Sequence, residues 1–228
     1  MEKKEKNNEP LKKEKIVGGG IIFTTLSKKN NNLYFLLGRE NKYCINGSGK
    51  YCDFGGGNDG ENIIENVSRE ASEETIGFFG NKYDIKKMFD KYGYYFIDNI
   101  NNNKVYRIYF LPIEYDDNVN NYFNNNQKIL QEYLPKHILK TSKIFEKDKI
   151  EWFSIQDLKN RKNELRKFFK YSALKIIQKE KEIKSFINSS NKTLNKSLNK
   201  TSNKTSNKTS KNKKKYNKTL KKIYFFMV

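Results

Sequence analysis

Residues 55 to 77, GGGNDGENIIENVSREASEETIG, constrain this chain more than any other stretch. Three consecutive glycines signal a sharp turn or a close backbone approach, and the residues after them have helical periodicity. Asn58 followed by Glu61 has the spacing of an N-cap and its N3 partner, which predicts a helix starting at Asn58. Advancing about 100° per residue from Ile63 gathers Ile64, Val67 and Ala71 into one apolar stripe that should face a sheet. On the same wheel Glu70, Glu73 and Glu74 crowd into roughly 100° of arc at the solvent edge of that stripe.

Such crowding costs a few tenths of a kcal/mol for each like-charged pair at i,i+3 or i,i+4. Arg69 can pair with Glu65 and Glu73 but cannot neutralise all of them. Residues 58 to 76 hold six acids (Asp59, Glu61, Glu65, Glu70, Glu73 and Glu74) against Arg69 alone, in a chain of net charge +20. A bound Mg²⁺ or Mn²⁺ is a natural counter-charge, since hard cations take carboxylate and carbonyl oxygens. Charge counting alone favours a solvated acidic helix face over a metal site.

Much of the positive charge lies at the other end. Residues 186 to 228 carry twelve lysines and no acid, which leaves +8 on the rest of the 228-residue chain. A basic tail suits a polyanion such as RNA, whereas abundant Lys, Asn, Ile, Tyr and Phe also follow from an AT-rich coding sequence. Beyond Asn188 the unit Ser-Asn-Lys-Thr recurs almost without apolar residues, a composition that cannot offset its ordering entropy. Three segments are therefore expected: a polar extension at 1–14, a folded domain at 15–186 and a disordered Lys/Asn/Ser/Thr-rich tail at 187–228.

Cys44 and Cys52 are too few to staple the chain and lack metal-ligand spacing, so they read as reduced thiols. The N-terminus MEKKEKNNEPLKKEK has no apolar stretch of the secretory kind, and no run is long enough to span a membrane. The expected location is cytoplasmic, with the Asn-x-Ser/Thr sequons of the tail incidental.

Strands are predicted at 15–26, 32–38, the YCDF preceding Gly55, within 84–98, at 104–114 and at 149–155. Residues 156–186 place Leu165, Phe168, Phe169, Leu174, Ile176 and Ile177 at roughly helical spacing, which suggests a packed C-terminal helix. A shorter helix over 127–139 should break or bend at Pro135. Trp152 reads as core, and His137 as an exposed residue without a partner for a metal site.

Gly55, Glu61, Arg69, Glu70, Ala71, Glu73 and Glu74 fall in the register of the Nudix box, G-x5-E-x7-R-E-U-x-E-E-x-G-U with U aliphatic, which this segment resembles. Ile76 stands where that pattern has glycine. The resemblance implies an α+β fold, an α/β/α sandwich around a mixed sheet, and hydrolysis of a phosphoanhydride bond in a nucleotide-like diphosphate with Mg²⁺ or Mn²⁺. It assigns metal to Glu70 and Glu74, with Glu73 as a further ligand or part of the base machinery. It also implies a metal contact from the Gly55 carbonyl, an orienting role for Arg69 and a structural hydrogen bond for Glu61. Many members add an acid from a later loop. Glu114, Glu132, Glu146 and Glu151 are the candidates, and Glu146 is favoured because it precedes a strand, IEWF, similar to the last strand of many members.

DFGGG before the box and EWFSIQDLK after the sheet look like Nudix proteins of giant DNA viruses, some of whose relatives remove mRNA caps. A nucleotide or RNA-cap pyrophosphate is thus the first expectation for the substrate, with the host cytoplasm as the location if the chain is viral. The alternative is a non-catalytic RNA-binding module that uses the Lys-rich tail on a Nudix scaffold.

Overall fold

A computed structural model describes residues 15–27, 29–43, 47–142 and 145–190. The chain divides into compact units at 1–188 and 189–228, and only residues 189 and 190 of the second are described. The expectations for the N-terminal extension, Cys44 and the Ser-Asn-Lys-Thr repeat lie outside the described residues.

In chain order the strands are β1 (Lys15–Leu26), β2 (Leu33–Glu40), β3 (Tyr51–Cys52), β4 (Phe54–Gly57), β5 (Tyr95–Asn101), β6 (Lys104–Pro112) and β7 (Lys147–Ser154). The helices are α1 (Ile63–Glu74), α2 (Lys82–Tyr92), α3 (Val119–Tyr133), α4 (Lys136–Thr141), α5 (Ile155–Asn160), α6 (Phe169–Gln178) and α7 (180–190). All seven strands form one mixed sheet. β1 runs parallel to β6 on one edge, while β2 pairs antiparallel with β7 and β6 with β5.

The site depends on a fork in this sheet. β1 and β2 pair only through Phe23–Leu26 and Leu33–Leu36. Where they diverge, β4 pairs with Gly18–Ile21 of β1 and β3 with Gly38 and Arg39 of β2. Residues 51–57 thus form a wedge in the opening, and the glycine run at its end leads straight into the acidic segment.

Alternation along the strands sends neighbours to opposite layers. Ile21, Phe23, Leu36, Tyr109 and Leu111 pack with Val67 and Ala71 of α1, Ile85 and Phe89 of α2, and Phe123 of α3. Ile22, Phe35, Leu37, Ile108 and Phe110 pack with Leu158 of α5, Phe169 and Ile176 of α6, and Ile183 and Ile187 of α7. Because both faces are covered, the strands read as nearly continuous apolar runs. The expected three-layer α/β/α arrangement is therefore present.

Several local expectations change. The helix over 156–186 is broken: α5 stops at Asn160, a 3₁₀ turn occupies Lys162–Glu164, and Leu165 bridges to Tyr51. At the break Arg161 binds Glu164 at 2.6 Å and Glu151 at 2.7 Å. Phe168 and Leu174 consequently face solvent, 41% and 46% exposed. The first part of the stretch expected to contain strand is α2, started by a capping box in which Asn81 and Asp84 exchange side-chain bonds. The helix expected over 127–139 is two helices on either side of Pro135, and α7 carries helical structure to residue 190, four residues into the segment expected to be disordered. Trp152 is core as expected, its Nε1 donating to the Asp116 carbonyl at 3.1 Å, and His137 is exposed. No helix among the described residues is long and apolar enough to cross a membrane.

Glu151, one of the four later acids, ties β3, β7 and the segment after α5 together. Tyr51 donates to it at 2.6 Å, Arg161 at 2.7 Å and Lys149 at 3.1 Å. Burial pushes its carboxyl up, but the bonds from Arg161, Tyr51 and Lys149 prevail and hold it at about 2. A depressed carboxyl stabilises the fold above its unfolded pKa, and that contribution fades as pH falls from the ordinary carboxylate value towards about 2. Glu151→Gln should therefore cost about 1–2 kcal/mol at pH 7 after allowance for solvent screening. In urea denaturation the gap between variant and parent should narrow as pH is lowered through that window.

Candidate active site

The acidic helix starts later than its spacing predicts. Asn62, not Asn58, is the N-cap, accepting from the Ile64 amide at 2.9 Å. Asn58 instead accepts from Gly60, whose φ of +99° closes a turn that a helical start would forbid. Asn66 anchors this turn by donating to the Gly57 carbonyl at 2.9 Å.

Val67 and Ala71 are fully buried against the sheet, with Ile63 and Ile64 beside them, so the apolar stripe is as expected. The carboxylates do not all lie at its solvent edge. Glu74 is 3% exposed, because β4 crosses over it and the Gly55 amide donates to its Oε2 at 2.9 Å. Glu70 leans on the same strand: a methyl group at Gly56 would stand 2.9 Å from its Cδ. Glu73 lies further out, 36% exposed at the side chain. Gly55 itself is pressed on β1, where a Cβ would meet the Gly19 carbonyl oxygen at 2.2 Å. The glycine run is thus needed for close approach of two backbones, and it brings Glu70 and Glu74 to one strand.

Arg69 binds Glu70 at 2.7 Å, Glu73 at 3.2 Å and Glu61 at 3.4 Å. The expected pairing with Glu65 is absent because Glu65 reaches Lys86 of α2 at 2.6 Å instead.

Below Glu74 lies a buried polar cluster that the sequence did not reveal. Lys147, 1% exposed at the side chain, meets Glu40 at 2.7 Å, Glu74 at 3.2 Å and the Cys52 thiol at 3.2 Å. Arg166 reaches Glu40 from outside at 2.9 Å. Burial pushes Glu74 up to about 8 against the pull of Lys147, and pushes the Cys52 thiol well up. Asp53, also buried, accepts from Tyr106 at 3.0 Å, and burial raises it to about 6. Only Asp53 had a legible cue, its place two residues before the glycine run. Lys147 stands in EKDKIE, which reads as a solvated strand edge.

Of the four later acids, Glu146 is the one whose charge acts on Glu74, raising it. Glu114 and Glu132 are exposed, and Glu151 is occupied on the opposite face of the sheet.

Among the described residues no three acid, His or Cys side chains form a ready metal cage. The donors nevertheless suit a hard cation. Two carboxylates converge on the glycine strand, and Mg²⁺ or Mn²⁺ needs little more from protein when water and substrate phosphates supply the remainder.

A cavity of about 1120 Å³ opens on the α6 side of the sheet, opposite α1, and its Tyr106 stands close to Gly18, which packs on Gly56 and Gly57. Tyr106, Phe168 and Tyr171 give it aromatic surface, and Lys104, Arg166, Lys167 and Lys175 give it positive charge. Tyr106 and Arg166 join it to the buried cluster through Asp53 and Glu40. The break after α5 is what exposes Phe168 here.

The helix exit resolves the position of Ile76. The Gly77 amide donates to Ser72 and the Ile76 amide to Glu73, a Schellman turn, with Ile76 at φ +54°. The left-handed conformation persists although a β-branched residue occupies it.

No family model and no curated protein matches the chain. Solved structures do. A MutT/Nudix family protein from Listeria innocua is 14% identical over 72% of this chain and 93% of its own, with a TM-score of 0.41. A MutT protein from Methanosarcina mazei Go1 is 17% identical over 75% and 99%, at 0.40. The Nudix domain of Shewanella oneidensis NrtR, crystallised with ADP ribose, is 14% identical over 77% and 93%, at 0.41.

Two substitutions test the backbone account. Gly55→Ala should destabilise by at least about 3 kcal/mol, since its methyl meets main chain that cannot yield. Ile76→Gly should stay within about 1 kcal/mol of the parent, because relief of left-handed strain offsets lost packing. Chemical denaturation of both variants measures this; a Gly55→Ala protein of parental stability would refute it.

Proposed function

We propose that this chain is a divalent-metal-dependent Nudix-type pyrophosphohydrolase that cleaves a phosphoanhydride bond in a nucleoside-diphosphate-linked substrate. The observation that carries the reading is the convergence of Glu70 and Glu74 on Gly55–Gly57; a cavity lined with aromatic rings and cations opens on the other side of the sheet and reaches this strand through Tyr106 and Gly18. Aromatic surface suits a nucleobase, and Lys104, Lys167 and Lys175 suit the phosphates linked to it. Within this class an RNA cap fits well, since it combines a stacking base with a polyphosphate bridge.

A bound Mg²⁺ or Mn²⁺ would neutralise the diphosphate and make water a better nucleophile. Glu70 and Glu74 would hold it, with the Gly55 carbonyl as a further donor. The Gly55 amide fixes Glu74, and Arg69 orients Glu70 and Glu73 by binding both. Glu73, the most exposed of the three, would accept a proton from the attacking water, and Glu146 would serve as the additional acid. Arg166 and Lys104 position the substrate's charge at the cavity wall.

The test is a hydrolysis panel of nucleoside diphosphate sugars, dinucleoside polyphosphates and capped RNA, with and without Mg²⁺ or Mn²⁺. Glu70→Gln and Glu74→Gln should each lower kcat at least about 100-fold. Lys104→Ala and Lys175→Ala should mainly raise KM, by about tenfold for each 1.4 kcal/mol lost. No turnover with any member of the panel would sink the proposal.

The lysines of residues 191–228 would add sequence-independent contacts to an RNA substrate. Deleting 191–228 spares Ile187, which is core, and should flatten the salt dependence of RNA binding. An unchanged slope would remove RNA as a partner of the tail.

A further inference from the structure

The buried lysine bears on how many ions the site can take. We propose that Lys147 is a built-in counter-ion of the acidic helix, filling the side of Glu74 where a second divalent ion would bind, so that the protein takes one divalent cation, on the Glu70 side. This rests on the metal-dependent reading above.

The position is built for a cation. In β7 the pairing runs regularly from Tyr34–Ser154 to Arg39–Lys149, then shifts so that Glu40 pairs with Lys147. That bulge turns Lys147, in place of Asp148, to the α1 side of the sheet. Its stem passes over Gly38, where a Cβ would stand 2.9 Å from Cδ of the lysine. Three acceptors then meet three ammonium hydrogens: Glu40, Glu74 and the Cys52 thiol.

Glu74 is consequently engaged on both oxygens, Oε1 by Lys147 and Oε2 by the Gly55 amide. At the inner end Lys147 and Arg166 bind Glu40 and Glu74 directly, with the carboxyls of Asp53 and Glu146 near enough for their charges to act on the cluster. At the outer end one guanidinium, Arg69, is divided among Glu61, Glu70 and Glu73. A further divalent charge beside Glu74 would sit against a buried ammonium that three acceptors hold in place, whereas beside Glu70 the cation it meets is Arg69, partly exposed and shared with Glu61 and Glu73.

The experiment is a Mn²⁺ titration of the full chain without substrate, with free Mn²⁺ read from its electron paramagnetic resonance signal. One Mn²⁺ per parent chain is expected. Glu70→Gln should weaken it at least about tenfold, and more than Glu74→Gln does. Lys147→Met, shown folded by circular dichroism, should bind two. Two ions on the parent, one ion on folded Lys147→Met, or a larger loss from Glu74→Gln than from Glu70→Gln overturns the proposal. If Lys147→Met does not fold, the parent count and the two glutamine variants decide. No Mn²⁺ on the parent defeats the metal-dependent function itself and this inference with it, a result distinct from a count of two.

Discussion

An ammonium group with 1% of its side chain exposed cannot be left without partners, and much of the architecture around Lys147 answers that requirement. Transferring a charge from water to the interior costs several kcal/mol even after relaxation, and only close acceptors repay it. Here those acceptors come from β2, β3 and α1. The lysine therefore ties the β2 side of the forked sheet to the end of the acidic helix. Removing one partner would leave a buried charge uncompensated, the costliest kind of polar lesion.

The fork explains how a catalytic arrangement can rest on so few residues. β1 and β2 separate after four paired residues each, and the wedge that fills the gap carries Tyr51, Cys52, Asp53 and Gly55–Gly57 in direct succession. Tyr51 reaches one layer through Glu151, Asp53 reaches the cavity through Tyr106, and Gly55 reaches Glu74. Seven residues of chain thus contact both faces of the sheet and the cavity. The helix supplies carboxylates, but this wedge decides which of them are buried and which are wet.

Much of this was legible in the sequence because the signals were local. The stripe of Ile63, Ile64, Val67 and Ala71 depends on helical periodicity and the strands β1, β2 and β6 on runs of β-branched and aromatic residues between turn clusters, and the structure keeps both. Glu74 was misplaced because a helical wheel knows the helix and not the strand that crosses it. The cap moved from Asn58 to Asn62 because Gly60 needed a left-handed turn. The break at Arg161 was hidden because ion pairs to Glu151 and Glu164 are not periodic. The cavity owes Phe168 to that break, so it too was beyond reach.

The bulge in β7 has one more consequence. Pairing register usually decides which apolar side chains enter a core. In β7 it decides the sign of a charge: the regular register would set Asp148 opposite Glu40, and the bulged one sets Lys147 there. A slip of one residue therefore changes the local charge by two units without altering the composition. At this point in the chain, backbone geometry acts as a charge selector, and the electrostatics of the site follow from how a strand is paired as much as from which residues it contains.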